Sequence, residues 1–364
     1  MANTAANLGK GSVDFNAAFK PSNISNAEII NNRRMINGQD DGLMQVHPLK
    51  HPFSMEAFKI MMANTWMPQE VEMTRDVEVW RSNTILTERE RTLYKRCLAF
   101  ASNLDGILTD SLVADVTRQI TSPEARLVCA RQSFEEALHV LSYATLIEAI
   151  GLDSEEIYGM YRKDKVLYEK NYSVLKSLSI ISDPGFKTGT FENDQTFMEA
   201  CISYIILEGI YFYCVFLLFY ILKRDNKMPG SAEMIQFINR DEDIHVRHFA
   251  YIINTIKEEQ PELWTPEFRQ RMIDNIKSAV DLETNWGIHC MGEGVLGLNP
   301  TNIREYIEFI GNNRLKMLGL AEQWPNAKNP FPWIDEMTQG KMTETNFFEG
   351  RVREYASGTL DWEA

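Results

Sequence analysis

Two hexapeptides about a hundred residues apart, FEEALH at 134–139 and RDEDIH at 240–245, share the pattern acid–Glu–x–x–His. On a helix, positions i and i+3 stand on one face a turn apart. Glu136 with His139, and Glu242 with His245, can therefore each present a carboxylate and an imidazole to one metal ion. One such pair arises often by chance, but two on separate long helices point to a shared metal centre. A further acid stands out by its surroundings. The stretch ACISYIILEGIYFYCVFLLFYIL at 200–222 is apolar enough to cross a bilayer by the rule of about 20 residues, yet Glu208 sits in its middle. In a membrane such an acid is costly. In the innermost helix of a bundle it needs a cation that compensates its burial.

The elements that must position these residues read as helices. Thr87 and Glu90 form a capping box that opens a helix running to about Val116. Ser122 as cap, Pro123 in the first turn and Gly151 as stop bracket a second, which carries the first Glu-x-x-His. A helix over roughly 154–182 ends at the break SDPGFKTG; the apolar rod at about 194–223 follows, then helices over roughly 232–259 and from Thr265 to Gly292. Strand signals are weak. His47 and His51 have metal-like spacing, but Pro48 and Pro52 disfavour a helix there, so HPLKHP reads as a loop. The fold class is all-α, a bundle of rods of about 25–30 residues.

Bulk properties narrow the function. The chain has 364 residues and a net charge of −14, which argues against a nucleic-acid or anionic-membrane surface. No second apolar span flanks 200–222, and the N-terminal MANTAANLGKGSVDF lacks the apolar core of a signal peptide. The five cysteines form no CxxC pair and suit reduced, buried thiols in a cytoplasmic protein.

A di-metal carboxylate site of the ferritin-like kind takes one carboxylate from each of two helices and a Glu-x-x-His from each of two others. Glu208 supplies one lone carboxylate. The other must come from the helix at 88–116, where Asp105, Asp110 and Asp115 are candidates that spacing does not separate.

On these residues, from about Asn64 to Tyr355, the chain resembles the small, radical-generating subunit of class I ribonucleotide reductase. The resemblance selects Asp105, through its DGI context, and implies six ligands for two metal ions per chain: Asp105, Glu136, His139, Glu208, Glu242 and His245. Iron is expected, with manganese as the alternative, since these donor types accept both. Tyr143, one turn beyond His139, matches the tyrosine that carries a stable radical in this family. Relatives that use a mixed metal pair have another residue there and often Glu at the first ligand, so Tyr143 with Asp105 implies the tyrosyl-radical type. Phe212, Phe216 and Ile238 match the apolar radical pocket. Trp66, Asp241 and Tyr355 match the route by which the radical leaves, with Asp241 expected to hydrogen-bond His139. The activity implied is reduction of ribonucleoside diphosphates by a large catalytic subunit, onto which the tail, including Trp362, docks.

The expected organisation is a polar, irregular N-terminal arm at 1–60, a ferritin-like di-metal domain at 61–340 and a flexible docking tail at 341–364, in a homodimer. Two alternatives share the ligand set. A di-metal oxygenase or desaturase would act on a small apolar substrate and have no use for Tyr355. An iron-storage shell would be built from a much shorter chain. Trp66, Asp241 and Tyr143 together argue against both.

Overall fold

The structure is a computed structural model that describes residues 25–335 apart from 40–43, 112–114, 180, 292–293 and 296. Twelve helices follow in chain order among these residues: α1 (Asn26–Asn32), α2 (Pro52–Ala63), α3 (Thr74–Arg81), α4 (Glu88–Ser111), α5 (Pro123–Ile150), α6 (Ser154–Gly159), α7 (Lys165–Leu178), α8 (Phe191–Ile206), α9 (Tyr213–Arg224), α10 (Pro229–Glu259), α11 (Pro266–Met291) and α12 (Pro300–Met317). A wide π-turn, Leu207–Tyr211, joins α8 to α9 in one rod. The described residues include no strand, only an isolated antiparallel bridge between Ile36 and Ile120.

Local chemistry sets the helix ends. The Thr87 hydroxyl accepts from the Glu90 N–H at 3.2 Å while the Glu90 carboxylate accepts from the Thr87 N–H at 2.8 Å, closing the capping box before α4. Ser122 caps α5, and Gly151 ends it in the left-handed conformation, φ 73°. The site rods then pack as a bundle: α4 lies against α5 and α9, and α10 against α5, α8 and α9. The segment Phe191–Arg224, long and apolar enough for a membrane, has 94% of its most apolar window buried inside this bundle. It is a core rod.

Three expectations need correction. The single helix expected over 154–182 is two, α6 and α7, because the Asp164 carboxylate accepts from the Val166 and Leu167 N–H groups at 3.0 and 3.2 Å and starts a new helix. The sequence pattern passed over α12, which Asn299 caps with Pro300 in the first turn. Finally, the stretch 1–60 is not irregular throughout. Helix α1 and most of α2 lie within it, Pro52 being a tolerated first-turn proline, and Ala57, Ile60 and Met61 pack with Val128 and Ile244. Residues 1–24 and 341–364 lie outside the described residues.

His51, expected to be an ordinary loop histidine, fastens this N-terminal part to the bundle. Its Nδ1 lies 2.8 Å from the Ser122 hydroxyl and its Nε2 3.3 Å from Glu259. Glu124 accepts from the Lys50 and His51 N–H groups at 2.6 and 3.2 Å. Burial pulls the imidazole down, but Glu124 and Glu259 outweigh it and raise the His51 pKa above its ordinary 6.5. Burial pushes Glu124 up, but the bonds from His51 and the backbone bring it from 4.5 to about 2.

The signs define a window. The raised imidazole contributes stability that is complete below pH 6.5 and is lost as pH rises through its folded value. The depressed carboxylate contributes stability that is complete above 4.5 and is lost as pH falls toward 2. The difference in urea stability between wild type and His51→Ala should therefore be largest between these limits, at roughly 1–3 kcal/mol, and shrink on both sides. A difference that does not vary with pH would rule out the ionic tie.

Candidate metal centre

Four rods converge on one buried point. Helix α4 brings Asp105, α5 brings Glu136 and His139, the π-turn brings Glu208, and α10 brings Glu242 and His245; all are buried, none more than 1% exposed. Their donor atoms fall into two overlapping groups. Asp105, Glu136, His139 and Glu242 form one, and Glu136, Glu208, Glu242 and His245 the other, each with its donors within 4.8 Å of one another. Glu136 and Glu242 belong to both groups, as bridging carboxylates between two ions would. Of the aspartates left open by spacing, Asp105 is in the cluster, and the side chain of Asp110 lies outside the described residues. Asp115 instead accepts from the Ser182 hydroxyl at 2.6 Å.

Both imidazoles turn Nδ1 inward. His139 Nδ1 lies 3.2 Å from Glu242 and 3.5 Å from Glu136, and His245 Nδ1 lies 3.1 Å from Glu242 and 3.2 Å from Glu136. Both turn Nε2 outward, to an acid on the opposite helix. His139 Nε2 lies 3.4 Å from Asp241, and His245 Nε2 lies 2.8 Å from Glu135. Each outer acid is in turn held by an arginine, Asp241 by Arg240 at 3.2 Å and Glu135 by Arg131 at 3.0 Å. Gln132 donates to Glu208 at 2.9 Å.

Sequence reasoning missed Glu135 and Gln132. The signal for Glu135 was present, since acid–Glu–x–x–His occurs twice and only the acid of the second motif was given a role. Gln132 stands one helical turn before Glu136, on the same face.

The donor set fits a pair of dications. The Glu208 Oε2 atom is buried without a hydrogen-bond partner, although buried polar atoms are nearly always satisfied. Four buried carboxylates carry four negative charges, which two dications neutralise. In the protein alone, burial and then the neighbouring carboxylates push Asp105 and Glu208 well above the usual carboxylate range. Burial also opposes ionisation of Glu136, but bonds from both histidines bring it to about 2. Metal loading displaces protons from such a site.

Around the cluster, Tyr143 is fully buried. Burial, then the charge of the neighbouring Asp105 carboxylate, holds its phenol proton on. Phe212, Phe216 and Ile238 are buried as well, with the two phenyl rings stacked at 5.7 Å. Trp66, 2% exposed, donates from its indole Nε1 to Asp241 at 2.7 Å. Trp66, Asp241 and His139 thus form one connected chain to the cluster. Tyr355 and Trp362 lie outside the described residues.

The family model "Ribonucleotide reductase, small chain" matches residues 43–330. The chain belongs to that family. It is 35% identical over 335 residues to the ribonucleoside-diphosphate reductase subunit beta of Chlamydia pneumoniae, covering 92% of this chain and 96% of the relative. The solved ribonucleotide reductase R2 subunit of Clostridium botulinum superposes with a TM-score of 0.78 at 29% identity, over 84% of this chain and 94% of that one. The dimanganese(II)-NrdF of Streptococcus sanguinis shares the fold, with a TM-score of 0.67 at 18% identity over 78% of this chain and 93% of that one. The protein is therefore the small subunit of a ribonucleoside-diphosphate reductase, which works with a large subunit, and its fold is the ferritin-like bundle with a site for a metal pair. The oxygenase and storage alternatives are not favoured.

Outer partners of ligating imidazoles commonly matter by 10–100-fold in metal affinity. Glu135→Gln should accordingly weaken binding of one of the two ions by roughly tenfold or more, read by chelator competition. Unchanged affinity for both ions would remove Glu135 from the site.

Proposed function

We propose that this subunit makes and stores a radical at Tyr143 and delivers it to the large subunit. Asp105, Glu136, His139, Glu208, Glu242 and His245 hold the metal pair, and the observation that carries the reading is the hydrogen-bonded chain Trp66–Asp241–His139 ending on that cluster. When bound in reduced form, the metal pair supplies the oxidising power by reacting with an oxidant. Tyr143 gives up one electron and its hydroxyl proton, and Asp105 is the carboxylate beside that hydroxyl. Phe212, Phe216 and Ile238 keep water and reductants from the phenoxyl. The equivalent then passes through His139, Asp241 and Trp66, and through Tyr355 in the tail, to the large subunit, where the ribose 2′-hydroxyl is replaced by hydrogen.

The donor set of carboxylates and imidazoles suits iron, and manganese equally by chemistry; the dimanganese relative supports keeping both. The tail at 341–364, with Trp362, docks on the large subunit in a cytoplasmic complex that serves DNA replication. A homodimer is supported by Phe134 and Leu141, seven residues apart on α5 and 43% and 48% exposed: two large apolar side chains on one face that a second copy would cover. Phe134→Glu/Leu141→Glu should then run as a monomer in size-exclusion chromatography where the wild type runs as a dimer. A dimer in both would place the interface elsewhere.

The decisive experiment is electron paramagnetic resonance of the metal-free chain reconstituted with Fe(II) and oxygen, beside Tyr143→Phe and Trp66→Phe. Wild type and Trp66→Phe should give an organic radical signal and Tyr143→Phe none. Trp66→Phe should also lose turnover with the large subunit. A radical that survives in Tyr143→Phe would overturn the assignment, and normal turnover in Trp66→Phe would take the indole out of the path.

A further inference from the structure

The π-turn that carries Glu208 is surrounded by charge that the reaction does not use. Lys170 on α7 and Glu283 on α11 are an ion pair, 1% and 0% exposed, in the middle of the apolar core. The ammonium also lies over the Phe100 ring at 3.5 Å and the Trp286 ring at 4.0 Å. Arg314 on α12 is 6% exposed. Each of the three reaches the same short piece of backbone. Arg314 Nε donates to the Gly209 carbonyl at 2.9 Å, Lys170 Nζ donates to the Tyr211 carbonyl at 2.9 Å, and Glu283 accepts from the Cys214 N–H at 2.9 Å.

In a regular helix each N–H is taken by the carbonyl four residues before it. A π-turn shifts that register by one and leaves polar groups at its junctions to find other partners. In an apolar core they must find them, since an unpaired backbone group is costly there. A buried ion pair is by itself weak evidence of stability, because apolar residues of the same volume often serve as well. What apolar residues cannot do is bond the displaced carbonyls and N–H of a distorted turn. The sequence accommodates the arrangement at Gly209, where a Cβ would come within 2.8 Å of Arg314 Nε.

We infer that Lys170, Glu283 and Arg314 are positioning residues for Glu208: three buried charges that hold the π-turn open and so fix its carboxylate at the metal cluster. From the opposite side, Gln132 holds the same carboxylate at 2.9 Å. The inference rests on the reading of Glu208 as a ligand.

The test compares the full-length wild type with two variants, by amide hydrogen exchange on the metal-free protein and by Mn(II) titration. Lys170→Met/Glu283→Leu removes both charges together, so no lone charge stays buried. Gly209→Ala leaves all three charges, displaces the guanidinium and presses on the Val246 methyl of α10, so it remains informative if the double variant does not fold. In each variant, amides of residues 209–215 should exchange faster and one of the two Mn(II) ions should bind roughly tenfold more weakly, with exchange in α5 unchanged. Unchanged exchange in the turn, or faster exchange with undiminished binding of both ions, would overturn the inference. Glu208→Gln separates the two ideas. If it binds both ions as the wild type does, the ligand reading fails, whatever the exchange in the clamp variants shows.

Discussion

Four carboxylates buried at one point in an apolar core are the constraint on which this molecule is built. Acids placed this close are tolerable as a group only if cations or protons neutralise them. The fold distributes that cost over four rods rather than over loops. Helices fix side-chain direction, so six donors from α4, α5, the π-turn and α10 can meet within the span of two adjacent ions. This also explains why a rod as apolar as Phe191–Arg224 carries an acid at its centre: Glu208 is placed where the compensating charge belongs.

Much of this was legible in the sequence because the chemistry repeats at helical spacing. Glu136 with His139 and Glu242 with His245 announce themselves through the i, i+3 rule, and Glu208 through its greasy context. Ser122, Pro123 and Gly151 gave the limits of α5, since caps are local. Asp105 was different. Three aspartates on one helix offered themselves, and only the resemblance, and later the packing, separated it from Asp115. Helices α6 and α7 were merged because Asp164 acts as a cap through its side chain rather than through a break in composition. The role of His51 could not be read at all, because its partners Glu124 and Glu259 are distant in sequence and meet it only once α5 and α10 pack.

The π-turn marks the limit of periodicity reasoning. Phe212 and Phe216 stand four and eight residues after Glu208, which in an unbroken α-helix would put all three on one stripe. Between Glu208 and Phe212 the backbone is wider than that, so the relation of the two residues is not that of one stripe. Beyond the turn the count holds again, and Phe212 stacks on Phe216. An insertion of this kind leaves no mark in a hydropathy pattern when both sides of the rod are buried. Its trace lies elsewhere, in a lysine, a glutamate and an arginine that have no obvious place in a core.

The outer partners of the two imidazoles bear on the exit that the proposed function requires. The halves look alike, with Asp241 behind His139 and Glu135 behind His245, each backed by an arginine. Both arginines reach the same short segment. Arg131 donates to the Met61 carbonyl at 3.1 Å and the Thr65 hydroxyl at 3.0 Å, while Arg240 donates to the Asn64 carbonyl at 2.5 Å. The next residue is Trp66, whose indole donates to Asp241 at 2.7 Å. The Glu135 half ends on a guanidinium, whereas the Asp241 half also reaches an indole, the group that the proposed function needs to carry an oxidising equivalent. Two nearly symmetric supports thus hold one loop, and on the proposed function the position of a single tryptophan in that loop gives the site its direction.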